Sequence, residues 1–216
     1  MSRTTDDLIA SLTVDLKPVS AGMVARRIAL GLGGGAVVST VLMLAWLGAR
    51  PDLAQALATP MFWMKFAYAA LAALALAVAL GRLSRPGARL GVLTAVAAAP
   101  FVVMALMAVA RLAMAAPDAR MHLVMGASAN VCPWRIYIIG LPLLAGAVWA
   151  VRGLAPTRLT LAGLVAGGCA GALSALIYGF HCDETAAPFV AIWYTLGMGA
   201  VAALGGLAGS RWLRWR

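Results

Sequence analysis

The chain has 216 residues, of which 63% are hydrophobic and only 11% charged, with a formal net charge of +10. That balance excludes an ordinary soluble domain and indicates an all-α polytopic membrane protein, because in lipid a helix is the form that satisfies its own backbone. The positive charge invites a nucleic-acid reading, but the arginines sit in small groups at the ends of apolar runs, which reports topology, and three cysteines without a CxxC offer neither a zinc finger nor a thioredoxin motif.

Residues 4–18, TTDDLIASLTVDLKP, are the one polar, helix-like stretch. Thr4 or Thr5 can cap a helix whose first turn carries Asp6 and Asp7, negative charge at the positive end of the helix dipole. Leu8, Ile9, Leu12 and Leu16 form one apolar stripe, Ser11 and Asp15 fall off it, and Pro18 stops the helix. A helix this short is marginal alone in water and needs a surface on which to bury the stripe. About 25 polar and amphipathic residues precede the first apolar run, too many for a secretory signal peptide, so the N-terminus is expected to be retained. Residues 1–25 are therefore expected as a separate N-terminal segment and residues 26–216 as the membrane domain.

Six apolar runs follow, at about 28–47, 61–80, 90–114, 136–151, 159–180 and 188–208, each near the ~20 residues needed to cross a bilayer. The fourth is short and contains Pro142, which predicts a kink or an extension into its flanks. Arg3, Lys17, Arg26, Arg27, Arg82, Arg85, Arg89, Arg152, Arg158, Arg211, Arg214 and Arg216 fall on one side, against Arg50, Lys65, Arg111, Arg120 and Arg135 on the other. The positive-inside rule then places both termini in the cytoplasm of a bacterial inner membrane, with Trp212 and Trp215 as interfacial anchors. A weak echo between ARPDLAQAL and AAPDARMHL, and between RLSRPGAR and RGLAPTR, supports three helical hairpins.

GLGGGA at 31–36 lacks the preceding strand and following Lys-Ser/Thr of a phosphate-binding loop, so helix packing is the expected role. Gly163, Gly167 and Gly171 in the fifth run, and Gly205 and Gly209 in the sixth, have the small-xxx-small spacing of close membrane-helix contact. These stripes leave a homodimer open. Cys169 inside the first stripe reads as a small packing residue. Lys65 and Arg111 lie near the outer interface, where long side chains are expected to snorkel outward. No run carries an acidic residue near its middle, which argues against a proton-coupled transporter.

The remaining cysteines, Cys132 in NVCPWR and Cys182 in FHCDE, are expected on the outer face, where adjacent hairpins could bring them together with His181, Asp183, Glu184, His122 and Asp118. Two thiolates with His181 would suit a transient soft-metal ion; the same pair could instead be a redox couple or a disulfide stapling two loops. The residues alone leave these readings open, and no resident cofactor is expected.

Over essentially its whole length the chain resembles the NrsF-type six-helix membrane anti-sigma factors, named for negative regulation of sigma F. The resemblance rests on TDDLIASLTVDLKPV, ARR before the first span, RPDL after it, FWMK, RPGAR, CPWR, FHCDE and WYTLG, in that order. It implies a non-enzymatic regulator whose N-terminal segment holds an extracytoplasmic-function sigma factor at the membrane, without direct nucleic-acid contact. Cys132 and Cys182 match outer cysteines implicated in heavy-metal or oxidative stress. The amphipathic segment suits that role: Leu8, Ile9, Leu12 and Leu16 can enter a partner's groove, while Asp6, Asp7 and Asp15 meet basic sigma surfaces. Three acids against Lys17 argue against a helix lying on anionic headgroups. The competing readings are a quinone-linked membrane thiol oxidoreductase, which usually needs a second cysteine pair, and a small metal transporter, which needs ligands in mid-membrane.

Overall fold

The computed structural model describes residues 4–14, 20 and 22–214, and contains no strand among them. Its helices in chain order are α1 (Thr5–Thr13), α2 (Met23–Trp46), α3 (Leu53–Ala56), α4 (Pro60–Leu83), α5 (Val92–Met114), α6 (Pro117–Met125), α7 (Cys132–Arg152), α8 (Leu159–Tyr178), α9 (Ala187–Phe189) and α10 (Thr195–Trp212). A π-helical turn, Val190–Tyr194, joins α9 to α10, so that Ala187–Trp212 runs as one span. With α2, α4, α5, α7 and α8, this makes six helices long and apolar enough to cross a membrane.

All six apolar runs thus become helices, and their ends move for local reasons. The third starts at Val92 because Gly91 turns the chain at φ +51, a conformation L side chains rarely adopt. The fourth extends outward to Cys132, with Pro133 in its first turn, where the missing N–H is no loss. Pro142 stays inside α7. Three residues before it, the Ile139 carbonyl accepts a 2.7 Å hydrogen bond from the Ser39 hydroxyl of α2.

Packing follows the logic of lipid, which is as apolar as leucine and gives no reason to bury large aliphatic groups. Leu30, Val37, Val41, Leu74, Val103, Leu106 and Leu207 accordingly face outward, while Ala72, Ala162, Ala166, Ala170 and Ala172 fill the interior. α8 is the axis of the bundle, packed against α10, α4 and α7, and α2 packs chiefly on α7. At the α8–α10 contact the glycine stripes meet backbone to backbone: a Cβ on Gly171 would stand 2.8 Å from the Cα of Met198, and Gly163 abuts Gly205 and Gly209. Within GLGGGA, Gly31 and Gly35 press on Gly146 and Leu143 of α7, whereas Gly33 and Gly34 meet open space. The packing role expected of both glycine pieces is therefore the one they fill. Cys169 is wholly buried in α8 with its thiol 3.6 Å from the Ala73 carbonyl, as expected of a small interior residue.

The hairpin order of the sequence is only partly the packing order. α8 and the last span form a tight pair, but α2 barely touches α4, and α5 leans on α4 and on α9, leaving most of its surface outward. Close approach requires small residues on both faces, and the glycines of α2 face α7.

Candidate functional site

Two regions carry the residues singled out from the sequence. The first is the N-terminal helix. It is shorter than the expected 4–18, spanning Thr5–Thr13, and Asp15 and Leu16 lie outside the described residues. Thr4 is the cap: its hydroxyl accepts from the Asp7 N–H at 3.3 Å while the Asp7 carboxylate accepts from the Thr4 N–H at 3.2 Å, a complete capping box. The Thr4 hydroxyl, followed by its backbone N–H, holds the Asp7 carboxyl below the usual carboxylate range. The helix buries none of its residues, and Leu8, Ile9 and Leu12 are 47%, 55% and 67% exposed. Asp6 and Asp7 are also exposed on this arm.

The second region lies at the opposite end of the spans, where the fold brings Cys132 and Cys182 together. Cys132 opens α7, its N–H bonded to the Ser128 carbonyl at 2.9 Å. Cys182 follows α8 in a tight turn, where the N–H groups of His181 and Cys182 both donate to the Tyr178 carbonyl. Both cysteines are buried and unbridged, and their side chains interact directly. The neighbouring Cys132 side chain is the main reason the Cys182 thiol falls below its ordinary range; burial opposes this, and the Lys65 ammonium and Tyr194 hydroxyl assist. The arrangement is a pair of free, buried sulfurs, one with its thiol pulled below the ordinary range, able to accept a soft cation or to be oxidised to a disulfide.

Lys65 is where the structure departs most from the sequence reading. Its side chain does not snorkel outward; it is 1% exposed, in the first turns of α4, and points into the cysteine site. The ammonium donates to the carbonyls of Cys182 at 2.7 Å and Glu184 at 3.1 Å, and lies 5.8 Å from the Tyr194 ring centroid. A buried ammonium is costly unless its protons find acceptors, and these two carbonyls supply them beside the Cys182 side chain.

Arg50 reinforces the same loop. It donates to the Cys182 carbonyl at 3.4 Å and makes a two-pronged ion pair with Asp52 at 2.6 Å on each arm, the only salt bridge among the described residues. His181 is held by both ring nitrogens. Because a guanidinium can only donate, the 3.2 Å contact from Arg135 makes Nε2 the acceptor, so Nδ1 carries the proton given to the Gly48 carbonyl at 3.0 Å. A metal on the two sulfurs would have to take His181 from these partners. Among the described residues no group of three His, Cys, Asp or Glu is arranged to hold an ion. The Glu184 carboxylate accepts from the Ala127 N–H at 2.5 Å and fills the space over Gly126, while Asp183 lies near Lys65 and Arg50. His122 and Asp118 stand on α6, both exposed.

Two tyrosines complete the pocket. Tyr178 packs against His181 and Tyr194, with ring centroids 5.7 and 5.9 Å away. Tyr194 is fully buried, and its hydroxyl has no partner at good hydrogen-bonding geometry although it sits beside the Cys182 sulfur. The π-helical turn, whose extra residue rotates what precedes it relative to α10, ends on this tyrosine. Lys65, Tyr178, Tyr194 and Arg135 were not singled out from the sequence as site residues. A lysine between Phe62 and Phe66 in an apolar run was the available signal, since an interfacial lysine needs no aromatic neighbour on either side.

The model of a family described as "NrsF: Negative regulator of sigma F" matches residues 12–215. The chain is 44% identical over 217 residues to the "Anti-sigma-F factor NrsF" of Caulobacter vibrioides, covering 98% of this chain and 99% of that protein. It is 42% identical over 211 residues to the "Probable anti-sigma-F factor NrsF" of Azospira oryzae, with 98% and 99% covered. No solved structure matches.

Proposed function

We propose, from the premise that the chain belongs to the NrsF family of negative regulators of sigma F, that it is an anti-sigma factor anchored in the bacterial inner membrane. Its cytoplasmic N-terminal arm holds a sigma factor of the extracytoplasmic-function class, and the outer Cys132–Cys182 site sets release in response to a soft metal or an oxidant. The protein regulates by holding a partner and not by catalysis.

The observation that carries the reading is the free arm. α1 is a capped, acidic-tipped helix whose Leu8, Ile9 and Leu12 are exposed, and none of its residues is buried among the described residues. A helix of nine residues is unstable alone, and a partner groove would supply the missing burial. At the other end, a metal or a disulfide would change the Cys182 sulfur beside the buried Lys65 ammonium. The stimulus thereby acts differently on two packings of the outer loop, as any switch requires.

The test is a pull-down of the detergent-solubilised protein, full length and lacking residues 1–20, from cells expressing the cognate sigma factor. Sigma factor held only by the full-length protein is the expected result; retention by both, or by neither although both are folded, would refute the arm as its binding site.

A further inference from the structure

α2 and α4 are neighbours in sequence, yet they leave a crevice of about 500 Å³ between their halves nearest the N-terminal arm. Ile28 and Leu32 line it from α2, and Ala77 and Gly81 from α4, so its walls are apolar over two helical turns. Arg82, in the last turn of α4, and Arg85, just past its end, stand at its mouth, both exposed. Neither is in an ion pair; the single ion pair among the described residues is Arg50–Asp52, beyond the other end of α2. A pair of arginines at a helix end needs no crevice to act as a topology signal. An apolar slot opening onto two unpaired guanidinium groups is, in contrast, complementary to a molecule with a hydrocarbon tail and an anionic head. Guanidinium forks match phosphate oxygens, and the bilayer supplies the tail.

We propose that this crevice binds one anionic phospholipid, with an acyl chain between α2 and α4 and its phosphate on Arg82 and Arg85. The bound chain fills the gap that the glycines of α2, committed to α7, leave on the α4 side. It also lies against Ile28, on the stem from which the arm emerges, so occupancy braces that stem.

The test uses full-length protein in mild detergent, stripped of lipid and titrated with phosphatidylglycerol or with phosphatidylcholine of the same chains, read by native mass spectrometry. One phosphatidylglycerol per chain, preferred over phosphatidylcholine, is expected. The double variant Arg82→Gln, Arg85→Gln should weaken it about thirtyfold, the combined effect of two surface arginines. Arg158→Gln with Arg211→Gln, the same charge loss at the same end of the bundle, should leave it unchanged. Gly81→Leu should also reduce binding with both arginines in place, because even a Cβ there stands 3.9 Å from Ile28 Cδ1 and a longer side chain occupies the slot. Equal retention of both lipids, or equal loss in the two arginine doubles, marks annular lipid only and overturns the site. Displacement by inorganic phosphate alone overturns the acyl-chain half of it. Thermal unfolding of each variant separates lost binding from lost fold.

Discussion

Cys132→Ala tests how the cysteine pair is poised. In the native site the Cys182 thiol is pulled below its ordinary 9.0, to about 6. The largest contribution is the hydrogen bond from the Cys132 thiol, and burial is the main opposing effect. Removing the donor leaves burial in place, so the Cys182 midpoint should rise by most of that interval. The sign of the linkage follows. A depressed thiol stabilises the fold fully above the ordinary thiol range, and that stabilisation is lost as pH falls through about 6. Wild type should therefore lose stability on acidification through this window, and Cys132→Ala, with little of the depression left, should be less stable above it and show a flatter pH dependence. The assay is the ultraviolet thiolate band followed across pH in a Cys169→Ala background, which needs no reagent access to a buried sulfur. A midpoint that stays near 6 in Cys132→Ala would refute the role of the Cys132 side chain. Lys65→Met should move the midpoint upward as well, by less, since its contribution ranks below that of Cys132.

Gly31→Val should separate α2 from α7, because its side chain would enter the Gly146 carbonyl, at a cost of about 3 kcal/mol or more, whereas Gly33→Val meets open space; thermal unfolding in detergent compares them. Leu12→Asp should abolish sigma-factor retention with no fall in the unfolding temperature, since the residue is two-thirds exposed. Normal repression in that variant, read with a sigma-dependent reporter, would count against the arm. Cys132→Ser and Cys182→Ser should each change the reporter response to a thiophilic metal, while Cys169→Ser, whose thiol meets only the Ala73 carbonyl inside the bundle, should respond as wild type.

Much of the membrane domain was legible because its signals are local. Span length and the glycine spacing each depend on a few consecutive residues, and the Thr4–Asp7 cap repeats a four-residue pattern. That Cys132 and Cys182 share a face followed from counting spans. Their partners did not, because burial of a lysine is set by what other helices place around it. Lys65 lies one turn past Pro60, where outward and inward orientations differ only by helix rotation, and the Cys182 and Glu184 carbonyls that favour the inward one come from a loop more than a hundred residues away. Tyr194 was hidden for a related reason: the π turn shifts its phase, and no periodicity in the sequence marks an inserted residue.

The sequence by itself determined that this chain is a six-span helical protein with an amphipathic arm before the first span. Hydropathy and capping are properties of short segments, and lipid forces each apolar segment to satisfy its own backbone. Only the tertiary structure decided which spans touch, because between apolar helices the choice is made by the fit of small residues. That fit joined α2 to α7 and α8 to α10, opened the crevice beside α4, and turned Lys65 inward onto the Cys182 loop.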